Sequence, residues 1–294
     1  MNIDINSYFS GAGLLDIGLL NEGLEIKNSY EIDPVACETQ RKNFNHQVHQ
    51  KDISQKLALD DIGANVILGT YPCTKYSAIA DLHGTRSGDD LFLHFFRHIA
   101  LVKPDIYIAE NVPGMKKFPI VMEAMTKLPD YYVNVFCPVD SAIWLPQKRQ
   151  RLIIIGSRRP FNWNEPTSKN RIKLKDILEE NAEIKITKAI ENRMNGIYRD
   201  KPIISDPEKD DIAPTCLAHY GKDKSTRLVK DKRSPLGVRA YTVREYARLM
   251  GVPDSFEFSG SVTEQYKQIG NGVAVPVGQW IGKQIKKYYK SKSN

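Results

Sequence analysis

The chain has 294 residues, 41% of them hydrophobic and 26% charged, with a formal net charge of +7. This composition supports a sizeable core and excludes a disordered or fibrous chain. It holds no apolar run long enough for a bilayer span, and Met1 to Tyr8 is too polar for a secretory leader.

The cysteines at 37, 73, 137 and 216 show no Cys-x-x-Cys spacing, so neither a zinc site nor a disulfide framework is expected. No metal is expected, and a reducing, cytoplasmic compartment fits this usage. A basic balance favours a polyanionic partner.

Ile3 to Phe9 alternates and reads as a first strand. Ser10-Gly11-Ala12-Gly13 is a turn, and Leu14 to Asn21 carries apolar residues at helical spacing. Strand, Gly-x-Gly turn and helix make a ready site for an anionic group, though a simple tight turn fits equally. A dinucleotide fingerprint needs a glycine where Asp16 stands, which argues against a nicotinamide or flavin and for a smaller cofactor.

Ile26 to Ile32 reads as the second strand, with Glu31 at its end, where α/β folds bind a ribose diol. A helix follows from Val35 to Asn45. A third short strand ends at Asp52-Ile53, with Asp52 suited to an adenine amino group.

Asn65 to Leu68 is a short buried strand that leads into Gly69-Thr70-Tyr71-Pro72-Cys73. A lone Pro-Cys pair is compatible with a buried structural thiol. Its place at a strand end, before a polar segment running to Asp90, also suits a nucleophile.

Leu91 to Val102 reads as a helix and Asp105 to Ala109 as a strand leading into Glu110-Asn111-Val112. Cysteine and glutamate thus sit at neighbouring strand ends, where ligands of parallel sheets collect. A helix over 118–128, a strand over 131–138, Gln147-x-Arg149-x-Arg151 and the strand Leu152 to Gly156 complete the alternation. The expected fold class is α/β, a doubly wound, mostly parallel sheet.

Residues 157–239 are polar, proline-containing and irregular, and read as a small second domain between 1–156 and 240–294. Lys222 to Arg239 carries seven basic residues against two acidic ones. These suit a phosphate backbone, and equally a solvated loop. Thr242 to Gly251 then reads as a capped helix, and a final helix runs into Tyr289.

Taken in order, these segments resemble the cytosine C5 DNA methyltransferases over nearly the whole chain outside 157–239. Phe9-Ser10-Gly11-Ala12-Gly13 looks like the S-adenosylmethionine turn, Pro72-Cys73 the nucleophile motif and Glu110-Asn111-Val112 the acid motif. Gln147-x-Arg149-x-Arg151 looks like the paired-arginine motif. Arg244-Glu245 to Arg248-Leu249 with Pro253-Asp254, and Gly270-Asn271-x-Val273, match the two last motifs. There are departures: Thr74 replaces the usual glutamine, Thr70 a frequent glycine and Trp144 a usual glycine, and Ile32 stands where an aromatic often stacks on adenine.

The resemblance implies an S-adenosylmethionine-dependent enzyme that methylates C5 of a flipped-out cytosine in duplex DNA. It implies catalytic Cys73, Glu110, Arg149 and Arg151, with Arg151 at the base O2 and Arg149 at a phosphate or loop. The cofactor residues it implies are Phe9, Gly11, Gly13, Leu14, Glu31, Ile32, Asp52, Ile53, Pro72, Asn271 and Val273. Expected DNA contacts are Lys75, Ser77, Arg86 and Ser87 on the loop after Cys73, with Thr215, Lys222 and Arg227 in a target-recognition domain. A monomer is expected, with a cognate restriction endonuclease as an optional partner. The alternatives are an RNA cytosine C5 methyltransferase and a catalytically silent DNA-binding paralogue.

Overall fold

The computed structural model describes residues 3–72, 91–196 and 203–291. They form two compact units, one of Met1–Val139, Gln150–Pro166 and Gly278–Asn294, the other of Asp140–Arg149 and Thr167–Val277.

The first unit is built on a seven-stranded sheet. Its strands are β1 (Ile5–Tyr8), β2 (Ile26–Glu31), β3 (Gln47–Gln50), β4 (Val66–Gly69), β5 (Ile106–Asn111), β6 (Tyr132–Asp140) and β7 (Gln150–Ser157), in the order β3-β2-β1-β4-β5-β7-β6. β1 pairs in parallel with both β2 and β4, and the chain then runs outward in opposite directions. The β1–β4 boundary is therefore the switch point, where strand ends open a crevice for a ligand. β4 and β5 are buried along their whole length, as expected for central strands covered on both faces.

Helices α1 (Leu14–Asn21), α2 (Pro34–Asn43), α3 (Leu91–Val102) and α4 (Pro119–Thr126) link these strands. α2 starts where Asp33 accepts from the amides of Val35 and Ala36, with Pro34 fixing the first turn.

The pairing of β7 with β5 breaks the parallel pattern. β7 runs antiparallel to β5, with Glu110 opposite Ile153 and Asn111 opposite Leu152. Successive side chains alternate faces, so Arg151 shares the face of Ile153 and lies diagonally across from Glu110.

The second unit contains helices α5 (Leu174–Ile177), α6 (Lys188–Asn195), α7 (Val243–Arg248) and α8 (Val262–Asn271). It also holds a three-stranded sheet of β8 (Ile203–Ser205), β9 (Arg227–Lys230) and β10 (Val238–Ala240). Part of the stretch that reads as irregular is thus a small sheet packed on Ile190, Leu228 and Val238. The compact units follow other limits than the compositional ones, since 240–277 clusters with 167–239. The last helix, α9, is Val275–Lys290. Among the described residues no helix is long and apolar enough to cross a membrane.

Candidate active site

The turn after β1 is organised by backbone geometry. Phe9, Gly11 and Gly13 all have positive φ, at 55°, 56° and 78°. At Gly13 a Cβ would fall 2.4 Å from the Phe44 ring, so no side chain fits there, whereas above Gly11 a Cβ would meet nothing within 4 Å. The turn is therefore closed on one side and open on the other.

Glu31, at the end of β2, braces it. One carboxylate oxygen accepts from the Gly11 amide at 2.7 Å, and the other from the amides of Ile32 and Asp33 at 2.8 Å each. Gln40 donates to the Ser10 hydroxyl at 2.8 Å and to the Gly11 carbonyl at 2.6 Å. Beside Glu31, the side chain of Ile32 is 61% exposed, an apolar surface at the strand end. Leu14 is buried beneath the turn.

The next loop carries Asp52 and Ile53. The Ser54 hydroxyl and amide hold the Asp52 carboxyl below the usual carboxylate range. Ile53 is buried, and Arg97 of α3 donates to its carbonyl at 3.2 Å and to that of Lys56 at 2.6 Å. Asp61 secures the far side of the loop by pairing with Lys56 at 2.9 Å. It also accepts from Asn6, Tyr8 and Tyr30 on β1 and β2.

Under the turn, Asp16 is wholly buried. It accepts from the Ser7 hydroxyl at 2.9 Å, and its Oδ2 meets no donor among the described residues. Burial pushes this carboxyl up to about 7. The folded state then binds the proton more tightly than the unfolded chain, so stability should fall from about pH 4 to about pH 7 and level off above. Asp16→Asn removes that penalty. In the fully buried limit it should stabilise the protein by on the order of 4 kcal/mol at pH 8, with the gain shrinking toward pH 4. Thermal melts across that range check the slope, and a pH-independent difference would contradict it.

The end of β4 is tied on both sides. The Thr70 amide donates to the Tyr8 carbonyl at 3.2 Å, and the Thr70 hydroxyl to the Phe9 carbonyl at 2.8 Å. The Tyr71 carbonyl accepts from Asn111 Nδ2 at 3.1 Å, joining β4 to the end of β5. Pro72 is exposed. Cys73, Lys75, Ser77, Arg86 and Ser87 lie outside the described residues. At the end of β5, Arg151 Nε meets Glu110 Oε1 at 2.8 Å, with side-chain exposures of 14% and 8%. The two motifs are brought together by the antiparallel register of β5 and β7.

The second expected arginine, Arg149, belongs to the second unit. Arg149 is 1% exposed, and its guanidinium donates to the carbonyls of Cys216 (3.0 Å), Gly270 (2.8 Å) and Gly272 (2.6 Å). In this arrangement it clasps two segments of the second unit through three carbonyls and does not reach out to a phosphate. Gln147 acts beside it, donating to Leu249 and accepting from the Cys216 amide. Asn271 is exposed at the end of α8 and Val273 is buried, both in the second unit.

Much of the basic run is internally paired. Lys230 meets Asp206 at 2.7 Å, Lys232 meets Glu208 at 3.5 Å and Arg233 meets Asp231 at 2.6 Å. Arg227 donates to the carbonyls of Thr215 and Thr226. The Thr215 hydroxyl donates to the Lys148 carbonyl at 2.7 Å, and Lys222 is exposed. Among the described residues no group of three or more His, Cys, Asp or Glu is placed to hold a metal.

A family model described as C-5 cytosine-specific DNA methylase matches residues 3–287. The chain belongs to this family. Among curated methylases, it is 29% identical to the type II methyltransferase M.NgoFVII of Neisseria gonorrhoeae, over 92% of this chain and 82% of that protein. It is 31% identical to M.Eco47II of Escherichia coli, over 94% and 77%. The Entamoeba histolytica methyltransferase EhMeth shares the fold, with a TM-score of 0.81 over 98% of this chain and 99% of that one, at 17% identity.

Proposed function

We propose that this methylase modifies C5 of a flipped-out cytosine in duplex DNA through a covalent adduct at Cys73, with S-adenosylmethionine as methyl donor. The observation that carries the reading is the Glu110–Arg151 pair at the end of β5, tied through Asn111 to the strand end that leads into Pro72-Cys73.

Cytosine C5 is too poor a nucleophile to take a methyl group directly. Addition of the Cys73 thiolate to C6 makes C5 nucleophilic. Glu110 protonates or holds N3 and accepts from the exocyclic amine, drawing electrons from the ring as the thiolate adds. Arg151 holds that carboxylate and donates to the base O2. After methylation a base takes the C5 proton, the C6–S bond breaks and the thiolate is restored. The other three cysteines suit this role poorly, because burial raises the thiols of Cys37 and Cys216 to about 11 and about 12, and that of Cys137 also upward.

S-adenosylmethionine supplies an electrophilic methyl group when bound. The open side of the Phe9–Gly13 turn, the braced Glu31 carboxylate, exposed Ile32 and the Asp52–Ile53 loop fit its amino-acid, ribose and adenine parts. Leu14, Pro72, Asn271 and Val273 complete the proposed set.

Both faces of the base must be reached, so the target leaves the stack at a cost of a few kcal/mol. Lys75, Ser77, Arg86 and Ser87 serve the phosphates beside it. Residues 157–239 act as the target-recognition domain, with Thr215, Lys222 and Arg227 at the DNA. The relatives named above are type II methyltransferases, which supports a restriction endonuclease of matching specificity as partner.

The test is methyl transfer from labelled S-adenosylmethionine to duplex DNA of varied sequence, beside duplex carrying 5-fluorocytosine. Fluorine at C5 blocks the final elimination. Labelled DNA and a trapped adduct mapped to Cys73 are expected. Label on RNA alone, or no label and no adduct, overturns the reading.

A further inference from the structure

We propose that Thr70 is a positioning residue that holds the Cys73-bearing strand end in register with the cofactor turn; this rests on the function proposed above. The first observation is strain. Phe9 is a bulky residue at φ 55°, a left-handed conformation that costs about 1 kcal/mol or more and persists only where its surroundings enforce it.

The second observation is what enforces it. The Phe9 carbonyl accepts the Thr70 hydroxyl at 2.8 Å, while the Thr70 amide continues the β1–β4 ladder to Tyr8 at 3.2 Å. One residue thus bonds two consecutive carbonyls of β1 and its turn, one through its backbone and one through its side chain. The Phe9 ring also stands edge-on to Tyr71, with centroids 6.4 Å apart. The Tyr71 carbonyl is in turn fixed by Asn111, next to Glu110. A continuous chain of contacts therefore runs from the glycine turn through Thr70 and Tyr71 to the acid at the end of β5.

The hydroxyl is the part that matters. Backbone pairing alone would align β4 with β1 up to Tyr8 and no further, because Phe9 has left the extended conformation. The side chain of Thr70 carries the register one residue past the end of the strand. Glycine at this place would leave the Phe9 carbonyl without that donor. Valine would put a methyl group at hydrogen-bond distance from it and push the two strand ends apart. Serine keeps the donor.

The experiment compares Thr70→Val, Thr70→Ala and Thr70→Ser with the unaltered enzyme, using full-length protein. It measures the KM for S-adenosylmethionine, the rate of adduct formation on 5-fluorocytosine duplex at saturating cofactor, and the melting temperature. Thr70→Val and Thr70→Ala should each raise the KM and slow adduct formation by roughly tenfold, the scale of one lost hydrogen bond with its acceptor stranded. Thr70→Ser should stay within about threefold on both.

A purely structural role would lower the melting temperature of Val and Ala variants without moving KM or adduct rate, and that result overturns the proposal. Failure of Thr70→Ser to rescue overturns it as well, because the hydroxyl would then not be the cause. If the unaltered enzyme forms no adduct, the proposed chemistry itself fails and this proposal with it. An active enzyme indifferent to Thr70→Val sinks the positioning role alone.

Discussion

Glu110→Gln is expected to lower turnover by about 10²- to 10⁴-fold, the range of a lost general acid. The substitution keeps the shape of the side chain. Its carbonyl still accepts from the exocyclic amine of cytosine, and its amide still donates toward N3. It holds no proton to give, so the ring is less polarised as the thiolate adds. The loss should therefore fall on kcat and on the rate of adduct formation, with cofactor binding within a factor of about three.

Arg151 keeps its bond to the Gln150 carbonyl in that variant, so the β7 end stays anchored. The pair is nearly buried, so some stability should be lost as well, and activity is best read well below the melting transition. Rapid-quench kinetics on 5-fluorocytosine duplex give the adduct rate directly. A variant that traps DNA as fast as the unaltered enzyme would remove Glu110 from the chemistry.

The sequence was most legible where local rules act alone. α1 and α3 lie where their apolar spacing places them, because a glycine turn or an apolar run delimits each. The glycine turn, Glu31 and Glu110 were legible as strand-end residues for the same reason. The antiparallel entry of β7 was not, because chain order says nothing about strand direction once the crossovers change. Yet that register is what joins Glu110 to Arg151.

The partners of Arg149 were not legible for a related reason. They are carbonyls of residues 67 to 123 positions away, and only the folded chain brings them together. α8 did leave a signal: Ser261 and Glu264 form a capping box that the sequence carries in plain view. β8 to β10 left almost none, being three or four residues long, with charges in β9 and β10. The basic run pointed outward by composition, but its charges found Asp231 within the run itself and acids at 206 and 208 that only the fold places beside them.

Those pairings lead to the second large effect. Glu245→Ala should destabilise the second unit by about 3–5 kcal/mol, the cost of stranding one partner of a buried ion pair. Arg239 and Glu245 are 2% and 0% exposed, and the guanidinium grips both carboxylate oxygens at 2.7 Å. Glu245 also accepts from the amides of Thr242 and Glu179 at 2.9 Å each, the first as half of a capping box on α7. Alanine therefore removes an ion pair, half of a capping box and a tie to residue 179 at once.

Arg239 then keeps the Ala240 carbonyl at 3.1 Å and Asp231, which meets its Nε at 2.7 Å and is already engaged with Arg233. Arg233, and after it Arg239, hold the Asp231 carboxyl well below the usual carboxylate range. That contribution is present above about pH 4 and is lost as acid protonates the folded carboxyl, in the variant as in the unaltered protein. Calorimetry at neutral pH should show the melting temperature lower by about 10 °C or more. A shift under about 2 °C would mean that Asp231 and the surrounding backbone hold Arg239 unaided. Arg239→Met with Glu245→Leu distinguishes the cost of stranding from the worth of the pair. Two apolar partners should recover much of the loss, because no charge is left buried. If the double variant melts as low as Glu245→Ala, the cap on α7 carries the stability and the ion pair does not.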